Sequence, residues 1–306
     1  MAMKGILRPG LVQIRVMDIG EALTHYVDRL GLYKVGEEDR RAFLKGADEF
    51  DHHSVTLVQS DTAGMDFIAF KLFEEADLDH YEARVKAFGI EVEHIPAGEQ
   101  PGYGRRIAFM SPSGHMIQLY HQVELSDPMP DIANPDIWPI EPHGMAARRF
   151  DHMQLNGTDV PRTLEFFTNV LDFSLTEKVE AEDGTPLAIW LSCGMKAHDV
   201  AFVEFPTPGA MHHAAFELSD WNAVGHAADI ITKYDLSIDI GPTRHGITRG
   251  RTIYFFDPSG NRTEVFAEGF TYYPDHPTRS WDTKALGKGI FYYQRQLNEK
   301  FMTVVT

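Results

Sequence analysis

Two histidines and a glutamate far apart in the chain, His152, His213 and Glu264, are the residues best suited to do chemistry. Imidazole nitrogen and carboxylate oxygen suit a borderline divalent ion such as Fe(II), Mn(II) or Zn(II), and three protein ligands leave positions open for substrate. Gaps of roughly 50–60 residues rule out a local helical motif such as His-Glu-x-x-His, so the fold must gather them. Taken singly, any of the 15 histidines is more often a surface or hydrogen-bonded core residue than a ligand, and Glu264 alone reads as a solvated charge.

What singles these three out is an internal repeat. Leu11-Val12-Gln13-Ile14-Arg15-Val16 followed by Glu21 to Leu32 matches His152-Met153-Gln154-Leu155-Asn156-Gly157 followed by Arg162 to Phe173. Each copy reads as a strand and an amphipathic helix with apolar residues three and four apart. A second block, Arg106 to Tyr120, matches Thr252 to Phe266 as strand, Pro-Ser-Gly turn and strand. Proline presets the turn and glycine tolerates a positive φ. Second helices are expected near 74–88 and 219–234. The architecture is therefore α+β, with tandem duplicated strand–helix–strand–strand–strand modules whose mixed sheets curl around a cleft. Pro128, Pro130, Pro135, Pro139 and Pro142 mark a connector between the halves. The stretch Leu286 to Phe301 has no counterpart and reads as a helix laid over some other part of the fold.

The two copies disagree where it matters. Leu11 corresponds to His152, Phe67 to His213 and Gln118 to Glu264, so non-ligands become ligands only in the second half. Side chains alternate along a strand. Ala214, Phe216 and Leu218 form one face, placing His213 on the other, and His152 lies opposite Met153 and Leu155. Parity leaves Glu264 ambiguous, because Phe266 shares its face.

The chain has 28 Lys and Arg against 45 Asp and Glu, a net charge of −17. Such a surface disfavours nucleic acid and anionic membranes. Cys193 is the single cysteine, which excludes an intrachain disulfide and all-Cys metal sites. No apolar run approaches the ~20 residues of a membrane span, and the N-terminus lacks a signal-type apolar region. A cytoplasmic protein is expected.

Phe150-Asp151-His152, Lys196-Ala197-His198-Asp199-Val200, His212-His213-Ala214-Ala215-Phe216, Gly241-Pro242-Thr243-Arg244-His245-Gly246, Thr252 to Glu264 and the tail Leu297 to Val304 resemble the extradiol catechol 2,3-dioxygenases (metapyrocatechases) of the vicinal oxygen chelate superfamily. The resemblance spans essentially the whole chain. It implies paired βαβββ modules, mononuclear Fe(II), ring cleavage of catechol or alkylcatechols with O2, a role in aromatic hydrocarbon catabolism, and a homotetramer. It places the iron ligands on His152, His213 and Glu264, the acid–base histidine on His198, and substrate-oxygen contacts on His245 and Tyr254. Trp190, Ile247, Ile290 and Phe301 would wall the ring pocket. Trp190 and Ile247 depart from the family's common Phe and Leu, which bears on the preferred ring substituent. The implied organisation is a non-catalytic domain at 1–127, a linker at 128–147, and a catalytic domain at 148–306 with a C-terminal helical extension. Two alternatives stand beside this reading: a glyoxalase-like isomerase, which would draw ligands from both halves, and a protein that sequesters an aromatic ligand without a redox metal.

Overall fold

The computed structural model describes residues 5–138 and 140–306. The first half runs β1 (Ile6–Val16), α1 (Ile19–Leu23) continuing as a π-helical turn (Thr24–Arg29), β2 (Tyr33–Glu38), β3 (Arg41–Lys45) and β4 (Val55–Gln59). A second unit follows: β5 (Gly64–Leu72), α2 (Ala76–Ala87), β6 (Glu93–Ile95), β7 (Arg106–Met110) and β8 (Met116–Tyr120). The second half repeats this with β9 (Arg149–Gly157), α3 (Val160–Asn169), β10 (Ser174–Glu180), β11 (Pro186–Ser192) and β12 (Val200–Glu204). Its other unit is β13 (Ala210–Glu217), α4 (Trp221–Lys233), β14 (Ile238–Arg244), β15 (Arg251–Phe256) and β16 (Arg262–Ala267), and β17 (Arg279–Asp282) adds to the sheet edge beside β10.

Each half is thus one mixed sheet of two βαβββ units. The strand orders are β2-β3-β4-β1-β5-β8-β7-β6 and β14-β15-β16-β13-β9-β12-β11-β10-β17. The Pro-Ser-Gly segments turn between β7 and β8 and between β15 and β16, with Gly114 and Gly260 at φ of 86° and 93°, a region that glycine enters without steric cost. Asp18, Asp159 and Asp220 cap helix N-termini by accepting backbone N–H bonds.

One apolar core runs through both halves. Phe166 on α3 packs against Phe88 and Phe109 of the first half, and Phe70 packs against Phe173. In the reverse direction, the Tyr26 hydroxyl donates to Asp257 at 3.1 Å, and His115 donates to the Ala210 carbonyl at 3.0 Å.

The tail differs from the single helix expected over Leu286–Phe301. It forms two short helices, α5 (Leu286–Ile290) and α6 (Glu299–Thr303), joined by a loop. At Gly287 a Cβ would lie 2.5 Å from the Arg295 carbonyl oxygen, so the chain folds back onto a position only glycine can supply. Asn298 then caps a new helix by accepting from the Phe301 amide. No helix among the described residues is long and apolar enough to cross a membrane.

Candidate metal centre

Strands β16, β13 and β9 lie side by side in the second sheet. Ala215 on the central strand pairs with His152 on β9 and with Glu264 on β16. Directly paired residues point to the same face, and His213, two residues before Ala215, shares that face. This pairing resolves the parity of Glu264, which sequence alternation leaves open. The small Ala215 side chain keeps the space between the three larger ones clear. One ligand atom from each of His152, His213 and Glu264 lies within 4.8 Å of the others. Glu264 Oε2 is 3.1 Å from His152 Nε2 and 3.0 Å from His213 Nε2.

Hydrogen bonds fix the orientation of both imidazoles. A carbonyl oxygen can only accept, so His212 Nε2–H donates to the Phe301 carbonyl at 2.7 Å. His212 Nδ1 is then an acceptor, and His213 Nδ1–H donates to it at 2.7 Å. His213 Nε2 is left bare, and it is buried without a hydrogen-bond partner. Likewise His152 Nδ1–H donates to Asp151 at 2.9 Å, which turns the lone pair of its Nε2 inward. Two imidazole lone pairs and a carboxylate oxygen therefore converge on one spot. Such a meeting of acceptors calls for a cation, and anchored second nitrogens are the usual support of metal-bound histidines. The donor set fits a divalent ion of the Fe(II) type with an open face.

The surroundings support that charge pattern. Burial alone would raise the Glu264 pKa, but a proton on either facing imidazole, His152 or His213, stabilises the carboxylate and holds it well below the ordinary range. Thr252 donates to the other Glu264 oxygen at 2.6 Å. Burial pushes the His213 pKa down to about 4. Lys196 reaches Asp151 and Asp199, each at 2.9 Å, tying the outer partner of His152 to the segment that carries His198.

His198, His245 and Tyr254 line the same cavity as the three ligands, as do Trp190, Ile247, Ile290 and Phe301; its volume is about 280 Å³. The His198 ring centroid lies 4.0 Å from that of His152, and burial drives its pKa well below the ordinary value. His245 Nδ1–H donates to the Ile290 carbonyl, so its Nε2 accepts from the Tyr254 hydroxyl at 2.7 Å. Burial, reinforced by the Glu264 charge, keeps Tyr254 protonated. Sequence reasoning gave no role to Asp151, Lys196, Thr252 or His212. The signal available was adjacency, since Asp151 and His212 each precede a ligand in the chain.

The first half shows what replaces the ion there. Leu11 and Phe67 are buried among Ala69, Tyr103 and Tyr120. Arg106, the counterpart of Thr252, donates from Nε to Gln118 Oε1 at 2.8 Å and also pairs with Glu99. Its guanidinium lies 6.0 Å from the Phe67 ring centroid. A fixed side-chain cation thus sits beside the counterparts of Glu264 and His213.

Together these features define a paired βαβββ protein with a 2-His-1-carboxylate metal centre in its second half. Residues 149–265 match the Glyoxalase/Bleomycin resistance protein/Dioxygenase superfamily, and residues 65–124 match the catechol 2,3-dioxygenase-like N-terminal domain. The chain is 48% identical to a metapyrocatechase of Pseudomonas sp. (strain CF600) over 99% of both chains. The 2,3-dioxygenase LapB of Pseudomonas sp. KL28 superposes with a TM-score of 0.89 at 43% identity, covering 92% of this chain and 99% of that one. Homoprotocatechuate 2,3-dioxygenase of Arthrobacter globiformis gives a TM-score of 0.89 at 25% identity, covering 100% of this chain and 93% of the other. The chain belongs to the extradiol, catechol 2,3-dioxygenase-like family of the vicinal oxygen chelate superfamily.

Proposed function

We propose that this chain is an Fe(II)-dependent extradiol dioxygenase that opens catechol or a simple alkylcatechol beside its diol with O2, giving 2-hydroxymuconate semialdehyde or an analogue. The observation that carries this reading is the convergence of His152 Nε2, the unpartnered His213 Nε2 and Glu264 inside a cavity of ring size. When bound, Fe(II) offers coordination positions to the two catechol oxygens and to O2 and couples electron exchange between them.

In this reading His152, His213 and Glu264 hold the metal, and the rest of the cavity binds and orients the ring. Tyr254 is protonated and, when the ring binds, would turn its hydroxyl hydrogen from His245 to a substrate oxygen, which frees His245 Nε2. His245 is held in one tautomer by Ile290 and keeps Nε2 as an acceptor, which suits it to take a catechol proton. His198, neutral through burial, holds and returns a proton at the imidazole beside the reacting centre. Trp190, Ile247, Ile290 and Phe301 exclude water and present apolar surface to the ring. The second sheet would curl around this cleft, with residues 1–127 as a non-catalytic scaffold, 128–147 as linker and 148–306 as the catalytic part. The assembly would be a homotetramer in the cytoplasm. An isomerase drawing ligands from both halves is disfavoured by Leu11, Phe67 and Gln118, and a metal-free binder leaves the converging lone pairs unexplained.

The test is to mix anaerobically reduced, iron-loaded protein with catechol in air, following O2 uptake and the yellow ring-opened product. Stoichiometric O2 uptake with yellow colour supports the reading, whereas no uptake overturns it. Within it, His198→Asn should retain iron and lower turnover by about 10²-fold; unchanged turnover would reduce His198 to scaffolding.

A further inference from the structure

Behind the ring-facing wall lies a carboxylate that the chemistry above does not use. Glu177, on β10, has a side chain with no solvent exposure. One of its oxygens accepts the Thr248 backbone N–H at 2.6 Å. The other accepts the Trp281 indole N–H at 3.1 Å and lies 3.3 Å from Arg279 Nη1. A carboxylate is costly to bury, and this one is spent on holding a loop.

The loop needs holding. Thr248 and Arg249 both adopt left-handed backbone, at φ of 61° and 65°, which side chains disfavour and which persists only where the surroundings over-determine it. His245 and Ile247, which line the ring cavity, lie just ahead of that bend. The amides of Gly246 and Ile247 both donate to the Gly289 carbonyl, at 2.8 and 2.9 Å. At Gly246 a Cβ would meet the Trp281 ring at 3.1 Å and the Lys288 carbonyl at 2.6 Å. The indole that Glu177 anchors therefore closes on the loop from behind.

We propose that Glu177 is a positioning residue for ring binding: by clamping Thr248 and Trp281 it sets where His245 and Ile247 stand in the cavity. The inference rests on the extradiol reading for its substrate. Its geometric part, a loop ordered by one buried carboxylate, stands apart from turnover. Glutamine at 177 can accept one of the two bonds but turns an NH2 group toward the other donor. Leucine accepts neither. Trp281→Phe removes the indole donor and leaves the Thr248 bond in place.

The experiment compares Glu177→Gln, Glu177→Leu and Trp281→Phe with the wild-type holoenzyme. Glu177→Gln should raise KM for catechol about tenfold while kcat stays within about threefold and iron content is unchanged. The ratio of kcat/KM for 3-methylcatechol to that for 4-methylcatechol should shift, because Ile247 moves. Trp281→Phe should produce a smaller shift in the same direction. Hydrogen exchange gives a readout independent of turnover: the 245–250 amides should lose protection in Glu177→Gln while β13 keeps it. Wild-type turnover with unchanged KM, unchanged substrate ratio and unchanged exchange in Glu177→Gln would overturn the inference and leave the extradiol reading intact. An inactive wild type with exchange changed as expected would instead overturn that reading and keep the clamp. If Glu177→Leu does not fold, the other two variants decide.

Discussion

Replacing Arg106 by methionine tests the idea that the first half has exchanged a metal for a side-chain cation. The Arg106 side chain has no solvent exposure, whereas Glu99, its ionic partner, is 43% exposed. Removing one member of a fully buried pair costs about 3–5 kcal/mol because the other charge is stranded. Here the Glu99 carboxylate can return to water, so most of that penalty is absent. What remains is Gln118 Oε1, which loses its 2.8 Å donor at about 1–3 kcal/mol. Against this, methionine removes a guanidinium whose Nη1 is buried without a partner and keeps most of the stem's packing. The expected net loss is about 1 kcal/mol. Arg106→Ala adds a cavity and should lose about 3 kcal/mol. Arg106→Met combined with Gln118→Leu removes the orphaned acceptor as well and should regain wild-type stability within about 1 kcal/mol. Urea denaturation measures all three, and iron content and turnover of the folded variants should equal those of wild type. A double variant more than about 3 kcal/mol less stable than wild type would refute the filler argument. Loss of iron from the second half would refute the scaffold assignment.

Two further outcomes follow from the site and one from the contact between the halves. His152→Ala and Glu264→Ala should fold and lose iron, measured by metal analysis after gel filtration; full iron in both would remove them from the ligand set. His212→Ala should weaken iron retention by about 10–100-fold with the fold intact, because His213 loses the acceptor that fixes its tautomer; a chelator-competition titration reads this, and unchanged affinity would refute the relay. Burial lowers the His115 pKa to about 4, so between that value and 6.5 the unfolded chain binds the proton that the folded chain refuses. Stability is therefore full above pH 6.5 and falls on acidification, by about 2 kcal/mol at pH 5 from this residue; His115→Gln should lose that much less between pH 7 and 5 in parallel urea titrations.

The metal ligands were legible because duplication supplies an internal control: a strand needed only for support has no reason to turn Leu11, Phe67 and Gln118 into His152, His213 and Glu264. Strand alternation placed both histidines on the correct face, and the pairing of Glu264 with Ala215 settled what alternation could not. Their supports were not legible, because each is completed by a distant group. The Phe301 carbonyl is 89 residues from His212, and Lys196 is 45 residues from Asp151. Glu177 alternates along β10 like any strand carboxylate, and only its contact with Thr248, 71 residues on, gives it a task. The tail was misread because Ile290, Phe291, Leu297 and Phe301 satisfy a helical spacing, while the glycine at 287 and the cap at 298 divide the segment.

That tail is better understood as part of the metal site than as a cover for it. Arg262, buried at the start of β16, donates from Nη1 to the carbonyls of Val304 and His212 at 2.8 and 3.2 Å, and from Nη2 to that of Lys300 at 3.3 Å. Thr306 exchanges backbone bonds with Met211 at 2.7 and 3.0 Å, so residues 300–306 are laced to the strand that bears His213. The lacing brings the Phe301 carbonyl to His212, which sets the tautomer of His212, then that of His213, and so the direction of one metal-facing lone pair. Phe301 meanwhile turns its ring toward Tyr254, 4.9 Å away between centroids. A single residue of the tail therefore orients a ligand through its backbone and walls the cavity with its side chain, coupling ring binding to the integrity of the metal centre.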